Sequence, residues 1–126
     1  MNAPALATLD QHLRVALSTA PAEARRLFHG RGRRWEGLEQ ITVDWLQGVL
    51  LVSLFSAPSE TQLLALQRLL MALTQAPVWQ HAQAQALLLQ HRYLPDSPTQ
   101  WLLGEPVDEW LVTEHGLRFK LDLGKK

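Results

Sequence analysis

The sequence predicts an α+β fold: N-terminal helices, then a mixed β-sheet of about five strands with one long helix packed on it. Three observations carry this. Leucines recur at spacings of three and four from Leu6 to Leu17 and again from Leu63 to Leu73, which is the period of one helix face. Ile41, Val43 and Trp45 alternate with Thr42 and Asp44, the period of a strand. Leu117, Phe119, Leu121 and Leu123 alternate strictly with Arg118, Lys120 and Asp122, as in a half-buried antiparallel strand.

The elements follow in order. Leu6, Leu9, Leu13 and Leu17 set the inner face of a first helix, with Gln11, His12 and Arg14 on the other. Pro21 ends that pattern and can open a second short helix, Ala22 to Phe28, because the first turn does not need its missing N–H. Residues 1–28 thus form an N-terminal helical segment, and residues 29–126 a small α+β domain. A loop, His29 to Gly37, precedes the strand Ile41 to Trp45. Gln47-Gly48 signals a turn, and Val49 to Phe55 reads as a strand buried on both faces. Ser56 to Glu60 is a helix-start cluster. The helix that it opens carries Leu63, Leu66, Leu70 and Leu73 and stops near Gln75, because Pro77 disfavours helix at the residue before it. Periodicity leaves residues 78–92 open between helix and strand. Leu94 to Pro106, with three prolines, reads as a loop. Trp110 to Leu123 is a hairpin turning at His115-Gly116.

Composition narrows the function. A chain of 126 residues, 47% of them apolar, can bury one real core. Twelve basic and twelve acidic residues cancel, so no global field draws the chain to nucleic acid or to a membrane. With no cysteine, disulfides and Cys-bound zinc are excluded. No stretch is long and apolar enough to span a bilayer, and no leader pattern opens the chain; the expected location is the cytoplasm. The five histidines, at 12, 29, 81, 91 and 115, are too dispersed for a metal site. No phosphate-binding glycine loop of a recognised kind is present, and no Ser, His and acid suggest a nucleophile. No catalytic, cofactor-binding or metal-ligating residue is assigned.

Several ordered stretches resemble one family. Leu27-Phe28-His29-Gly30-Arg31-Gly32 is followed by Gly37-Leu38-Glu39 and Val43-Asp44-Trp45, then by Arg92-Tyr93, Leu103-Gly104-Glu105 and Glu114-His115-Gly116-Leu117-Arg118-Phe119. Their order and spacing are similar to class I S-adenosylmethionine-dependent methyltransferases related to the bacterial enzymes that modify large-subunit ribosomal RNA. The resemblance spans roughly residues 25–124. It implies that residues like Gly116 to Leu123 close a small α+β domain, after which a Rossmann-like domain binds the cofactor through a Gly-containing turn. Nothing like that turn lies in this sequence, so the expectation is a non-catalytic N-terminal domain for substrate recognition and scaffolding. No cofactor is expected in this chain, and S-adenosylmethionine is expected for a full-length parent. The resemblance also tips residues 86–92 toward strand. Some relatives begin with an RNA-binding barrel, which the leucine-periodic N-terminus here does not match.

Five of the nine arginines lie between Arg25 and Arg34, an asymmetry that zero net charge hides. Arg25, Arg26, His29, Arg31, Arg33, Arg34 and Trp35 are therefore the candidate nucleic-acid-binding residues. A guanidinium fork matches phosphate, Gly30 and Gly32 let backbone approach an anion, and Trp35 offers a ring to an unpaired base. The structural alternative is a solvated loop paired with Glu23, Glu36 and Glu39. Asp44 is expected to take hydrogen bonds from Arg31 or Arg92. Expected partners are ribosomal RNA, the catalytic domain of the parent, and a second copy of the chain through exposed apolar surface, with no membrane contact. The second reading of function is a stand-alone interaction or dimerisation module without RNA contact.

Overall fold

The computed structural model describes residues 1–31, 35–107 and 109–122, apart from the side chains of Phe119 and Asp122. Arg33 and Arg34, both candidate site residues, and the inward orientation expected of Phe119 lie outside the described residues.

Helix α1 spans Ala3–Ser18. The Asn2 side chain caps it by accepting the Ala5 N–H at 2.9 Å, which satisfies one of the orphan donors of the first turn. Leu6, Leu9, Leu13 and Leu17 are buried, as their spacing requires. The segment after Pro21 departs from expectation, because Arg25–His29 is a strand, β1, and not the end of a second helix. Its register against the next strand pairs Arg26 with Asp44 and Phe28 with Val43, skipping Leu27. That bulge turns two consecutive residues, Leu27 and Phe28, into the core. It also erases the period-two signature that would have marked a strand. The boundary expected after Phe28 therefore falls inside β1.

Strands β2 (Ile41–Trp45) and β3 (Val49–Leu54) form the expected antiparallel hairpin. Gln47 and Gly48 both have positive φ, 50° and 102°, as a two-residue type I′ turn demands, and the Leu46 N–H closes it on the Val49 carbonyl at 2.8 Å. Helix α2 (Glu60–Thr74) opens on a reciprocal capping box between Ser59 and Gln62, each donating a backbone N–H to the other's side chain. A five-residue helix, α3 (Pro77–His81), follows. The chain then enters β4 (Ala86–His91), parallel to β3, which resolves the open stretch 78–92 as helix and then strand.

The loop expected over Leu94 to Pro106 holds a further strand, β5 (Thr99–Leu103), antiparallel to β4. Its prolines bracket it, Pro98 immediately before and Pro106 after, where a missing N–H costs the ladder nothing. The mixed sheet has the order β1-β2-β3-β4-β5. β6 (Glu109–Glu114) and β7 (Leu117–Asp122) make the expected C-terminal hairpin, turning at His115-Gly116, as a separate two-stranded sheet. The sheet is thus five-stranded and mixed as expected; its edges are β1 and β5, neither read as a strand from sequence, and the hairpin strands β6 and β7 lie outside it.

Two clusters hold these layers together. On one face, leucines of α1 and α2 and Trp79 of α3 pack with Phe28, Ile41, Val43, Trp45, Leu50, Val52, Leu54, Leu87 and Leu89. On the other, Val49, Ala86 and Leu88 are covered by Leu51, Trp101, Trp110 and Leu121. The hairpin is pinned there by the Trp110 indole N–H, which donates to the Leu46 carbonyl at 2.6 Å, and by the Gln47 side-chain oxygen, which accepts the Thr113 N–H. Such anchoring gives a wide ring both apolar cover and a satisfied donor. No helix among the described residues is long and apolar enough to cross a membrane.

Candidate nucleic-acid interface

The bulged edge strand β1 decides where the basic cluster goes. Arg26 lies opposite Asp44 in the register, and its guanidinium grips that carboxylate through Nε at 2.8 Å and a terminal nitrogen at 3.3 Å. Asp44 is thus held by Arg26, and not by Arg31 or Arg92 as the sequence suggested. The cross-strand position puts Arg26 within reach at no loop-ordering cost. The same guanidinium donates to His29 Nδ1 at 3.2 Å, so that the imidazole carries its own proton on Nε2. Arg25, Arg26, His29, Asp44 and Glu114 line an open cleft of about 560 Å³ beside the β6–β7 hairpin. Arg25 is exposed and has no ion pair among the described residues.

Within the cluster Asp44 pairs with Arg26. Of the other acids expected to neutralise it, Glu23 and Glu39 accept backbone N–H groups and make no ion pair with it among the described residues. Glu23 accepts the Gly116 N–H at 3.0 Å. Glu39 accepts the Gly37 N–H at 2.7 Å. Hydrogen bonds from its own backbone N–H and then from that of Gly37 hold the Glu39 carboxyl below its ordinary range, since an N–H favours the charged acceptor.

Trp35 does not stand out as a free platform. It is half-buried against the core, with its ring 5.4 Å from Phe28 and 5.5 Å from His12. His12 meets it edge-on and Phe28 at a tilt.

Arg31 goes to a different place. Gly30 brings the chain so close to the entry of β2 that a Cβ there would sit 1.9 Å from the Leu38 carbonyl oxygen, and its N–H bonds the Ile41 carbonyl at 2.8 Å. The next residue, Arg31, then lies over the Phe55 ring, with Cζ 4.0 Å from the centroid. Arg92, directly after β4, reaches the same ring at 5.3 Å. Phe55 was not singled out by sequence, and Arg92 only as part of the Arg92-Tyr93 stretch and as a partner for Asp44. The parallel pairing of β3 with β4 is what brings them together, and no local pattern reports it. Among the described residues no group of His, Asp and Glu has the geometry of a metal site.

The profile of the S-adenosylmethionine-dependent methyltransferases matches residues 25–126. The chain belongs to this family. Two solved structures share its fold: SMU.776, a candidate methyltransferase crystallised with SAH, and a candidate SAM-dependent methyltransferase from Streptococcus mutans. Each has a TM-score of 0.61, at 15% and 18% identity respectively, over 94% of this chain. The chain spans 28% of the length of either. No curated protein matches it.

The family's cofactor carries a sulfonium cation, an adenine and a ribose diol. In open α/β sheets such ligands lie beyond the carboxyl ends of parallel strands. In this family member that end, after β3 and β4, presents Arg31 and Arg92 on Phe55. The connection Phe55-Ser56-Ala57-Pro58-Ser59 contains no glycine, and the capping box closes the first turn of α2. Two guanidiniums repel a sulfonium, and the backbone leaves no glycine turn for close approach. The residues at this end of the sheet therefore do not fit the cofactor.

Proposed function

We propose that this chain is the non-catalytic N-terminal domain of a cytoplasmic, SAM-dependent ribosomal-RNA methyltransferase, and that it recognises RNA and scaffolds a catalytic domain that binds S-adenosylmethionine. The observation that carries the RNA part is the charge arrangement. Arg25 and Arg31 are exposed without a carboxylate partner among the described residues, whereas Glu23 and Glu39 are engaged by backbone N–H groups. Arginines without an ion pair at two places, in a chain of zero net charge, suit a phosphate backbone. The family match and the partial span of the related structures support the role of an accessory domain.

The interaction-module reading would need a contiguous apolar patch. The exposed large apolar side chains of the described residues are Val15, Leu64, Met71, Leu94, Leu111 and Leu117, spread over α1, α2, a loop and the hairpin. In the hairpin register Leu111 pairs with Lys120 and Leu117 with Glu114, so the two leucines stand on opposite faces. The test is a pair of titrations on the purified chain. A structured ribosomal-RNA fragment should bind at low salt, and S-adenosylmethionine should bind no tighter than about 100 μM, roughly 5–6 kcal/mol. Tight cofactor binding without RNA binding would overturn the reading.

A further inference from the structure

Arg31 and Arg92 come from loops far apart in sequence, yet both guanidiniums lie on one phenyl ring, with Cζ atoms 4.0 and 5.3 Å from the Phe55 centroid. Those distances keep the two cations within about 10 Å of each other, the Debye length at 0.1 M salt. Among the described residues neither has an ion pair or a hydrogen bond to a carboxylate. Both are exposed, whereas Phe55 is half-buried. Like charges held together without an acid cost free energy that a ring quadrupole offsets only in part.

The backbone fixes this geometry. The Phe55 N–H donates to the Gln40 carbonyl at 2.8 Å, the Arg92 N–H to the Leu54 carbonyl at 2.8 Å, and the Gly30 N–H to the Ile41 carbonyl at 2.8 Å. Residues 30, 40, 55 and 92 are thereby tied at one end of the sheet, and the two arginines project from braced loop ends.

We infer that Arg31 and Arg92, aligned on Phe55, form a clamp for one or two backbone phosphates of single-stranded RNA, at the sheet end where β3 and β4 finish. The inference rests on the RNA-recognition reading above and gives that reading an address separate from the Arg25–Arg26–His29 cleft. Guanidinium forks supply paired donors to phosphate oxygens. The ring pre-orders both side chains, so that less rotamer entropy is lost on binding.

The test is fluorescence anisotropy of a labelled single-stranded RNA oligonucleotide with the full chain, across a salt series. Wild type should bind with a negative slope of log K against log salt. Arg31→Gln with Arg92→Gln should flatten that slope by about 0.7 to 1.4, at about 0.7 for each of the one or two phosphates released, and weaken binding at least roughly tenfold. Arg31→Lys with Arg92→Lys should restore the slope, because it keeps the charge. The lysine pair also keeps the test decisive if the glutamine pair does not fold: a lysine variant with the flattened slope overturns the clamp. Salt-dependent binding by wild type that the glutamine pair leaves unchanged overturns the clamp alone and spares the RNA reading. No salt-dependent binding by wild type overturns both.

Discussion

His12 of α1 donates its Nε2–H to the Leu27 carbonyl, 3.0 Å away, at the bulge of β1. Leu27 is the residue that the bulge leaves without a partner on β2, so the histidine takes up a carbonyl that the ladder has released. Its ring also meets Phe28 edge-on at 5.2 Å. The helix and the edge strand that carries the basic cluster are thus joined through one side chain.

Replacing that side chain should loosen the edge strand. His12→Ala is expected to destabilise the fold by about 2 kcal/mol, from a half-buried acceptor left unpaired and a lost aromatic contact. Urea denaturation should show a lower midpoint at unchanged slope. A midpoint equal to wild type would mean that the bond contributes nothing.

Gly30 is fixed by space. A Cβ there would lie 1.9 Å from the Leu38 oxygen and 2.7 Å from that of Ile41, closer than any real contact. Gly30→Ala should therefore cost about 3 kcal/mol or more, because the obstacles are backbone and cannot rotate away. The same denaturation measurement checks it. A loss under about 1 kcal/mol, the ordinary price of a tolerated change, would show that the loop shifts freely.

Glu39 should give the chain an acid-sensitive turn. Its folded-state pKa lies below the ordinary 4.5, so the unfolded chain takes up the proton first as pH falls. The contribution is present above about 4.5 and disappears as pH drops through the lower, folded value. Thermal melts of wild type and Glu39→Gln should therefore differ most near neutral pH and converge in acid. A difference that grows on acidification would contradict the assignment.

The C-terminal hairpin should behave as a separately openable unit. It belongs to its own two-stranded sheet, and Trp110 is one of its main anchors. Trp110→Ala is expected to raise amide exchange across β6 and β7 while the central strands β3 and β4 keep their protection. Uniform loss of protection would mean that the hairpin is integral to the main core.

Sequence reading succeeded where side-chain period equals structural period. The leucines of α1 and α2, the Ile41–Trp45 alternation and the hairpin at His115-Gly116 were all legible for that reason. It failed at the two sheet edges. In β1 the bulge aims both Leu27 and Phe28 inward, which imitates a short helical face. In β5 the prolines that punctuate Thr99–Leu103 dominate the local signal, though they bracket the strand without interrupting it. The basic cluster was visible as composition, but its division was not. Arg26 is committed to Asp44 by strand register, Arg92 is delivered to Phe55 by a parallel pairing between distant segments, and Arg31 reaches the same ring through the close approach of Gly30 to β2. All three are tertiary facts with no short-range trace.

If this chain grips RNA through charge, as proposed, wild-type binding to a structured ribosomal-RNA fragment must depend on salt. Binding should weaken as salt rises, with log K falling against log salt by about 0.7 for each single-stranded phosphate contact, and Arg25→Ala should reduce that slope by about one contact. Binding that is absent at low salt, or insensitive to salt throughout, would contradict the account.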